Sequence, residues 1–255
     1  MLKLLFMRHG ESTSNRDRRL TGQDDSPLTA QGHQQCRQLA TWLHAQSWPP
    51  THIYSSPLRR ALESLDDVMQ PWPWPLVPPV KQAQERWESD RAGLDQRPLP
   101  GDSSPAAPQF QVCPLLREFD AGILTGLTWP EAQQRYPDLC HQLETSADWV
   151  PIPAAETPQQ GRQRAQAFLN DLLHRHCSGD AIWILSHHWI LEHLIACLLG
   201  CDRTWQIAMA NTALFEFWLD RDRWEQAGMP RSISDLWQIK QFNSTPHLAG
   251  VNSSD

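Results

Sequence analysis

Arg8-His9-Gly10-Glu11-Ser12 and Ser186-His187-His188 each set a histidine directly behind a short apolar run. A neutral imidazole is a competent nucleophile towards phosphorus when a partner neutralises the transferring group. Arginine does this bidentately and stays charged at any working pH. Arg8 stands beside His9, and Arg60 lies in Ser55-Ser56-Pro57-Leu58-Arg59-Arg60-Ala61, with Arg59 the better candidate for a solvated charge. A leaving alkoxide also needs a proton. Glu118, in Leu116-Arg117-Glu118-Phe119-Asp120-Ala121-Gly122, is a candidate donor, because a phosphate dianion nearby favours the protonated carboxyl. Phosphoryl transfer is the chemistry these residue types share.

Regular elements must position them. Residues 2–7 form a nearly continuous apolar run, which predicts a strand buried on both faces of a parallel sheet. A polar loop follows over 10–27. Cys36, Leu39, Ala40, Trp42 and Leu43 recur at helical spacing within 29–46, ahead of Pro49-Pro50. Residues 52–55 read as a second strand, and a helix begins just after Pro57. A helix over 158–176, a strand over 181–185, a helix over 189–199 and late strands over 214–219 and 237–242 follow. Strands alternating with helices predict a three-layer α/β/α sandwich with a mostly parallel sheet. Ligands of such sheets bind outside the carboxyl ends of the strands. Both histidines fall there, where they can face one another across one pocket. The helix opening after Ser186 would add N–H groups that favour an anion.

The 255 residues carry a net charge of -7, and 40% are hydrophobic. That is enough apolar material for a core and too acidic for a protein that mainly neutralises nucleic-acid phosphates. The apolar start reaches Arg8 too soon for an export signal, and no stretch suits a bilayer span, so the expectation is a cytoplasmic protein without a membrane partner. Six scattered cysteines without close pairs read as reduced thiols. His174, His176 and Cys177 resemble a metal-ligand cluster, but the end of a helix predicts a structural use for them.

Residues 70–114 break the pattern. Pro71-Trp72-Pro73-Trp74-Pro75 and Leu99-Pro100-Gly101 exclude regular helix or central strand, so the segment reads as an insertion or cap with a short helix over 82–91. Trp72, Trp74 and Trp87 would serve there as an apolar cover over a substrate or as loop anchors. The rest of residues 1–255 reads as one domain, ending in a short flexible tail over 249–255.

Taken in order, these segments resemble the histidine phosphatase superfamily, in its phosphoglycerate-mutase-like branch. Arg8-His9-Gly10-Glu11 matches the opening signature, followed by Asn15, Thr21-Gly22 and Asp25-Ser26-Pro27-Leu28-Thr29. Ser55-Ser56-Pro57-Leu58 with Arg60-Ala61, Leu116-Arg117-Glu118 with Gly126-Leu127-Thr128, Glu156-Thr157 with Arg164, Ser186-His187, and 242–248 match later ones. The resemblance implies that His9 becomes a phosphohistidine. Arg8, Arg60 and His187 would hold the phosphoryl oxygens, with Asn15, Thr21 and Gly22 on the phosphate-binding side. Glu118 would act as acid and then as base for water. No metal and no cofactor is implied, because the arginines and His187 bring the charge. The expected activity is hydrolysis of a small phosphorylated metabolite.

Two departures bear on that expectation. The family usually carries glycine where this chain has His188, whose expected place is solvent or packing. Phosphoglycerate mutases of the branch follow the acid with Arg-His-Tyr and carry a lysine and an Arg-Arg pair downstream. Here Glu118 is followed by Phe119-Asp120-Ala121, and Trp129 stands about where the lysine would be. A mutase is therefore the first alternative, and a non-catalytic phosphate-binding regulator the second. The oligomeric state and the substrate stay open.

Overall fold

The computed structural model describes residues 1–46, 49–74, 107–224 and 236–249. Six strands form one sheet: β1 Leu2–Arg8, β2 His52–Ser55, β3 Gln109–Val112, β4 Ala181–Ser186, β5 Leu214–Leu219 and β6 Trp237–Ser244, in the order β3-β2-β4-β1-β5-β6. β1, β2, β3 and β4 are mutually parallel, β5 runs against β1, and β6 turns back against β5. The described helices are α1 Thr13–Arg16, α2 Ala30–Ala45, α3 Arg59–Met69, α4 Trp129–Arg135, α5 Pro137–Thr145, α6 Pro158–Arg175, α7 His188–Leu198 and the short α8 Arg221–Trp224.

The alternation of side chains along a strand splits the apolar runs between two layers. Leu2, Leu4 and Phe6 of β1 join Ile182 and Ile184 of β4 in one core, against Phe168, Leu169 and Leu172 of α6 and Ile190 and Leu194 of α7. Leu5 and Met7 join Trp183 and Leu185 in the other, against Cys36, Leu39 and Leu43 of α2 and Ala61 and Leu65 of α3. A strand buried on both faces needs apolar residues throughout, which is why β1 and β4 read as continuous runs. Among the described residues no helix is long and apolar enough to cross a membrane.

Local signals set several boundaries. Thr29 caps α2 by accepting from Gly32 N–H at 3.0 Å, and Thr157 caps α6 through a capping box with Gln160. The first turn of α3 has no cap from its own N-cap residue; Arg59 N–H donates instead to Asp25 Oδ1 at 2.9 Å.

Two expectations need correction, and one alternative is decided. The 10–27 loop contains α1, whose capping box is built by Ser12 and Asn15. The insertion does not extend to residue 114. Gln109–Val112 pairs in parallel with β2 as an edge strand, and a 3₁₀ turn follows at Pro114–Leu116. A four-residue edge strand with only Val112 buried carries too little periodicity to show in sequence. Trp72 and Trp74 are anchors. They stack on each other 5.8 Å apart, and Trp72 meets the core Trp183 edge-on at 5.2 Å. Trp87, the 82–91 helix and residues 250–255 lie outside the described residues.

Candidate active site

Register brings the two histidines together. Arg8 pairs with Ser186 across the parallel β1 and β4, so His9 and His187 emerge side by side at the carboxyl edge. From there the chain after β1 passes to α2 on one face, while the chain after β4 enters α7 on the other. Adjacent strands whose connections leave to opposite faces open a crevice between them. The rings lie 5.0 Å apart between centroids and are almost fully buried.

His9 Nδ1 lies 2.6 Å from the carbonyl of Gly10, to which it donates, so Nε2 keeps its lone pair for attack. Burial, then the charges of Arg60 and Arg8, push the imidazole well below its ordinary range and keep it neutral. The turn is close-packed. A Cβ at Gly32, in the first turn of α2, would lie 2.1 Å from the carbonyl oxygen of Glu11, so only glycine lets α2 approach this loop. Gly10 N–H donates to Ser64 Oγ at 2.9 Å.

Arg60 is 1% exposed, and each of its three guanidinium nitrogens donates one hydrogen bond. Nη1 donates to the carbonyl of Asp24 at 2.8 Å, Nη2 to that of Gly22 at 2.9 Å, and Nε to His187 Nδ1 at 3.2 Å. Because His187 Nδ1 accepts there, its Nε2–H donates to Ser56 Oγ at 2.6 Å. Burial lowers the Arg60 guanidinium to about 10, which leaves it charged at neutral pH. Burial, with Arg60 next, holds His187 well below the ordinary imidazole range. Arg8 donates through Nη1 to the Met209 carbonyl, while its buried Nε meets no acceptor among the described residues. A buried N–H of that kind is costly unless an acceptor arrives, and a phosphoryl oxygen is one.

Glu118 is held from two sides. Its Oε1 accepts from Phe119 N–H at 2.9 Å and from Trp189 N–H at 3.1 Å, in the first turn of α7. Oε2 is the oxygen left to pass a proton. The segment beneath is clamped by Arg164, which pairs bidentately with Glu156 at 2.9 and 2.7 Å and donates to the carbonyls of Leu115 and Arg117 at 2.8 and 2.5 Å. Burial lowers the proton affinity of both Arg8 and Arg60, and the Glu118 charge opposes it at each, so the three share one electrostatic enclosure.

His9, His187, Arg8, Arg60 and Glu118 therefore converge. The other three candidates do not present themselves in the same way. Asn15 Oδ1 accepts from Ser12 N–H and Ser12 Oγ, both at 3.1 Å, and from Asn211 Nδ2 at 3.2 Å. Thr21 Oγ1 turns to the Arg19 carbonyl at 3.4 Å. Gly22 acts through Arg60: its positive φ of 53° aims its carbonyl at Nη2. His188 pairs with Glu192 one turn along α7 at 3.2 Å and is partly exposed. Arg59, as expected, is a solvated charge paired with Glu63 at 2.6 Å. Sequence reasoning missed Ser56, the Met209 carbonyl and Asn211, which donates to the His9 carbonyl at 3.1 Å. Ser56 sits inside a quoted motif; nothing marks Met209 or Asn211 in the sequence.

Comparison with known proteins gives the family and the fold. The model of the histidine phosphatase superfamily (branch 1) matches residues 4–84 and 103–230. A protein of Enterobacter sp. (strain 638) named "Probable phosphoglycerate mutase GpmB" is 30% identical over 200 residues, covering 78% of this chain and 76% of its own. Bacillus stearothermophilus YhfR shares the fold with a TM-score of 0.68 at 22% identity, covering 97% of this chain and all of the other. Phosphoserine phosphatase from Entamoeba histolytica does so with a TM-score of 0.65 at 20% identity, over 97% and 100% of the two chains.

Proposed function

Because the chain belongs to the histidine phosphatase superfamily, we propose that it hydrolyses a small phosphomonoester through a phosphohistidine at His9, with no metal in the reaction itself. The observation that carries this reading is the neutral His9–His187 pair enclosed by Arg8 and Arg60, with Glu118 at its rim.

His9 Nε2 attacks phosphorus, the N–P bond forms, and the bond from phosphorus to the leaving oxygen breaks. Protonated Glu118 gives its proton to that oxygen. Arg8, with its unpartnered Nε, and Arg60 meet the charge on the phosphoryl oxygens, and His187 stands against the same group. Water then attacks the phosphohistidine while the Glu118 carboxylate takes its proton. The N–P bond breaks, and phosphate leaves a restored His9 and a protonated Glu118.

The name of the Enterobacter relative points to a second reading, in which the phosphoryl group returns to another hydroxyl. Charge around the acid argues for hydrolysis. Phe119 packs against Trp189 at 4.8 Å and faces Trp149 at 6.4 Å, an aromatic flank where a mutase needs cations for a carboxylate and a second phosphate. Trp129 donates to Glu144 at 2.8 Å and packs in the satellite core around Leu124, Ala132 and Cys140.

Two assays test the reading. A phosphate-release screen over sugar phosphates, phospho-amino acids and nucleotide-pathway intermediates should yield at least one good substrate. Incubation with 3-phosphoglycerate and a trace of 2,3-bisphosphoglycerate should give no rapid interconversion; fast isomerisation without phosphate release would establish the mutase instead. A wild-type chain that releases no p-nitrophenol from its phosphate ester would be a binding protein on this scaffold, and release that persists in His9→Ala would take the nucleophile's role from His9.

A further inference from the structure

Three side chains that phosphoryl transfer does not use meet at the opposite edge of the sheet. His52 opens β2, His176 follows the last residue of α6, and Asp180 leads into β4. One ligand atom from each lies within 4.8 Å of the others. His176 Nδ1 and Asp180 Oδ2 are 3.2 Å apart, close to the roughly 3.3 Å between two ligands of one tetrahedral zinc ion bound at about 2.0–2.1 Å. The His52 and His176 rings lie 4.3 Å apart between centroids, so the imidazoles converge.

Each group is oriented from behind. Thr51 Oγ1 donates to the Ala181 carbonyl at 3.1 Å, so its 2.8 Å contact with His52 Nδ1 is accepted from Nδ1–H. His52 Nε2 is then the nitrogen with a lone pair. The Tyr54 hydroxyl lies 2.8 Å from His176 Nε2, and Cys177 N–H donates to Asp180 Oδ2 at 3.1 Å. Outer partners of this kind on the second imidazole nitrogen and on the carboxylate are how proteins aim metal ligands.

We propose that His52, His176 and Asp180 hold a zinc ion, with water as the fourth ligand. Two imidazoles and one carboxylate suit a borderline divalent ion and lack the many oxygens that calcium or magnesium requires. A hydrogen bond between His176 and Asp180 at the end of α6 accounts for those two residues alone and leaves the approach of His52 unexplained. The six residues of β4 separate this cluster from His187, roughly 20 Å of extended chain. Zinc here would tie the start of β2, the end of α6 and the entry to β4 into one unit, a structural staple outside the reaction. The cluster differs from the sequence grouping of His174, His176 and Cys177: folding keeps only His176 and brings to it His52, 124 positions away, and Asp180.

The test uses the full chain, stripped with a chelator and titrated with Zn²⁺ against a chromophoric competitor. One ion per chain is expected, with affinity at least about tenfold weaker in His52→Ala and in Asp180→Asn. Zinc should raise the thermal midpoint of the wild type and leave those of both variants unmoved. Cobalt(II) should give the visible absorption of a four-coordinate site in the wild type and lose it in His52→Ala. Since His9 and His187 can take up a transition ion themselves, His187→Ala serves as the control and should keep the titration intact. No uptake, uptake unchanged in His52→Ala, or uptake lost in His187→Ala would overturn the proposal. His52 is only half-buried, so His52→Ala decides the matter should Asp180→Asn not fold.

Discussion

The sheet carries a pair of buried or half-buried imidazoles at each end, and the two pairs differ in what surrounds them. At the carboxyl edge His9 and His187 face guanidinium groups from Arg8 and Arg60. At the amino edge His52 and His176 face the Asp180 carboxylate and the Tyr54 hydroxyl. Burial lowers the proton affinity of all four rings, so the pairs are alike in charge. What separates them is the sign of the field around them: cations prepare one pair for an anion, and the carboxylate prepares the other for a cation. A histidine pair therefore has no function that can be read from the histidines alone.

The most severe test of that contrast removes the nucleophile. His9→Ala should lower turnover of any phosphomonoester by about 10⁴-fold or more, and the variant quenched in alkali from a turnover mixture with labelled substrate should carry none of the base-stable, acid-labile phosphorus that the wild type carries. Glu118→Gln comes next. Its loss should reach about 10²–10⁴-fold for alkyl phosphates, which need a proton on the leaving oxygen, and be much smaller for p-nitrophenyl phosphate, which does not. Equal losses on both would remove Glu118 from the role of acid.

Arg60→Lys keeps the charge and removes the fork that binds Gly22, Asp24 and His187. A fall of about 10–100-fold in kcat/KM, with the circular-dichroism spectrum retained, is expected if geometry as well as charge prepares this edge. An unchanged kcat/KM would reduce Arg60 to a point charge.

The smallest effect is on stability in acid. His9 and His187 resist protonation in the folded chain, and burial holds His193 and His247 at about 4. Between about pH 6.5 and 4 the unfolded chain therefore binds protons that these rings in the folded chain refuse, and stability drops as pH falls. Asp66, raised to about 6 chiefly by burial, works in the opposite direction, but one carboxyl stands against these four rings and against His52 and His176, which burial also lowers. The thermal midpoint should fall steadily from pH 7 to pH 4; a constant midpoint would contradict the buried, neutral imidazoles.

Much of this was legible in the residues. β1 and β4 read as buried strands because burial on both faces demands apolar runs, and α2 and α6 announced themselves by helical periodicity within 29–46 and 158–176. The candidate site residues were legible because each sits near the end of a strand or helix beside a polar motif. β3 was not, since four residues on a sheet edge need little apolar patterning. Nor were the parts played by Asn211 and Met209, because Asn211 uses its side chain and Met209 only its backbone, and partners two hundred residues away leave no local trace.

From the chain alone came the α/β alternation, the histidine–arginine chemistry and the family, because periodicity and motif spacing are properties of neighbours in sequence. Tertiary structure alone decided that Arg60 is anchored by two carbonyls and a histidine, that Arg164 clamps the Glu118 segment, and that His52 meets His176 and Asp180. Such contacts depend on strand register and on which face each connection takes, and those are set by the packing of the whole sheet.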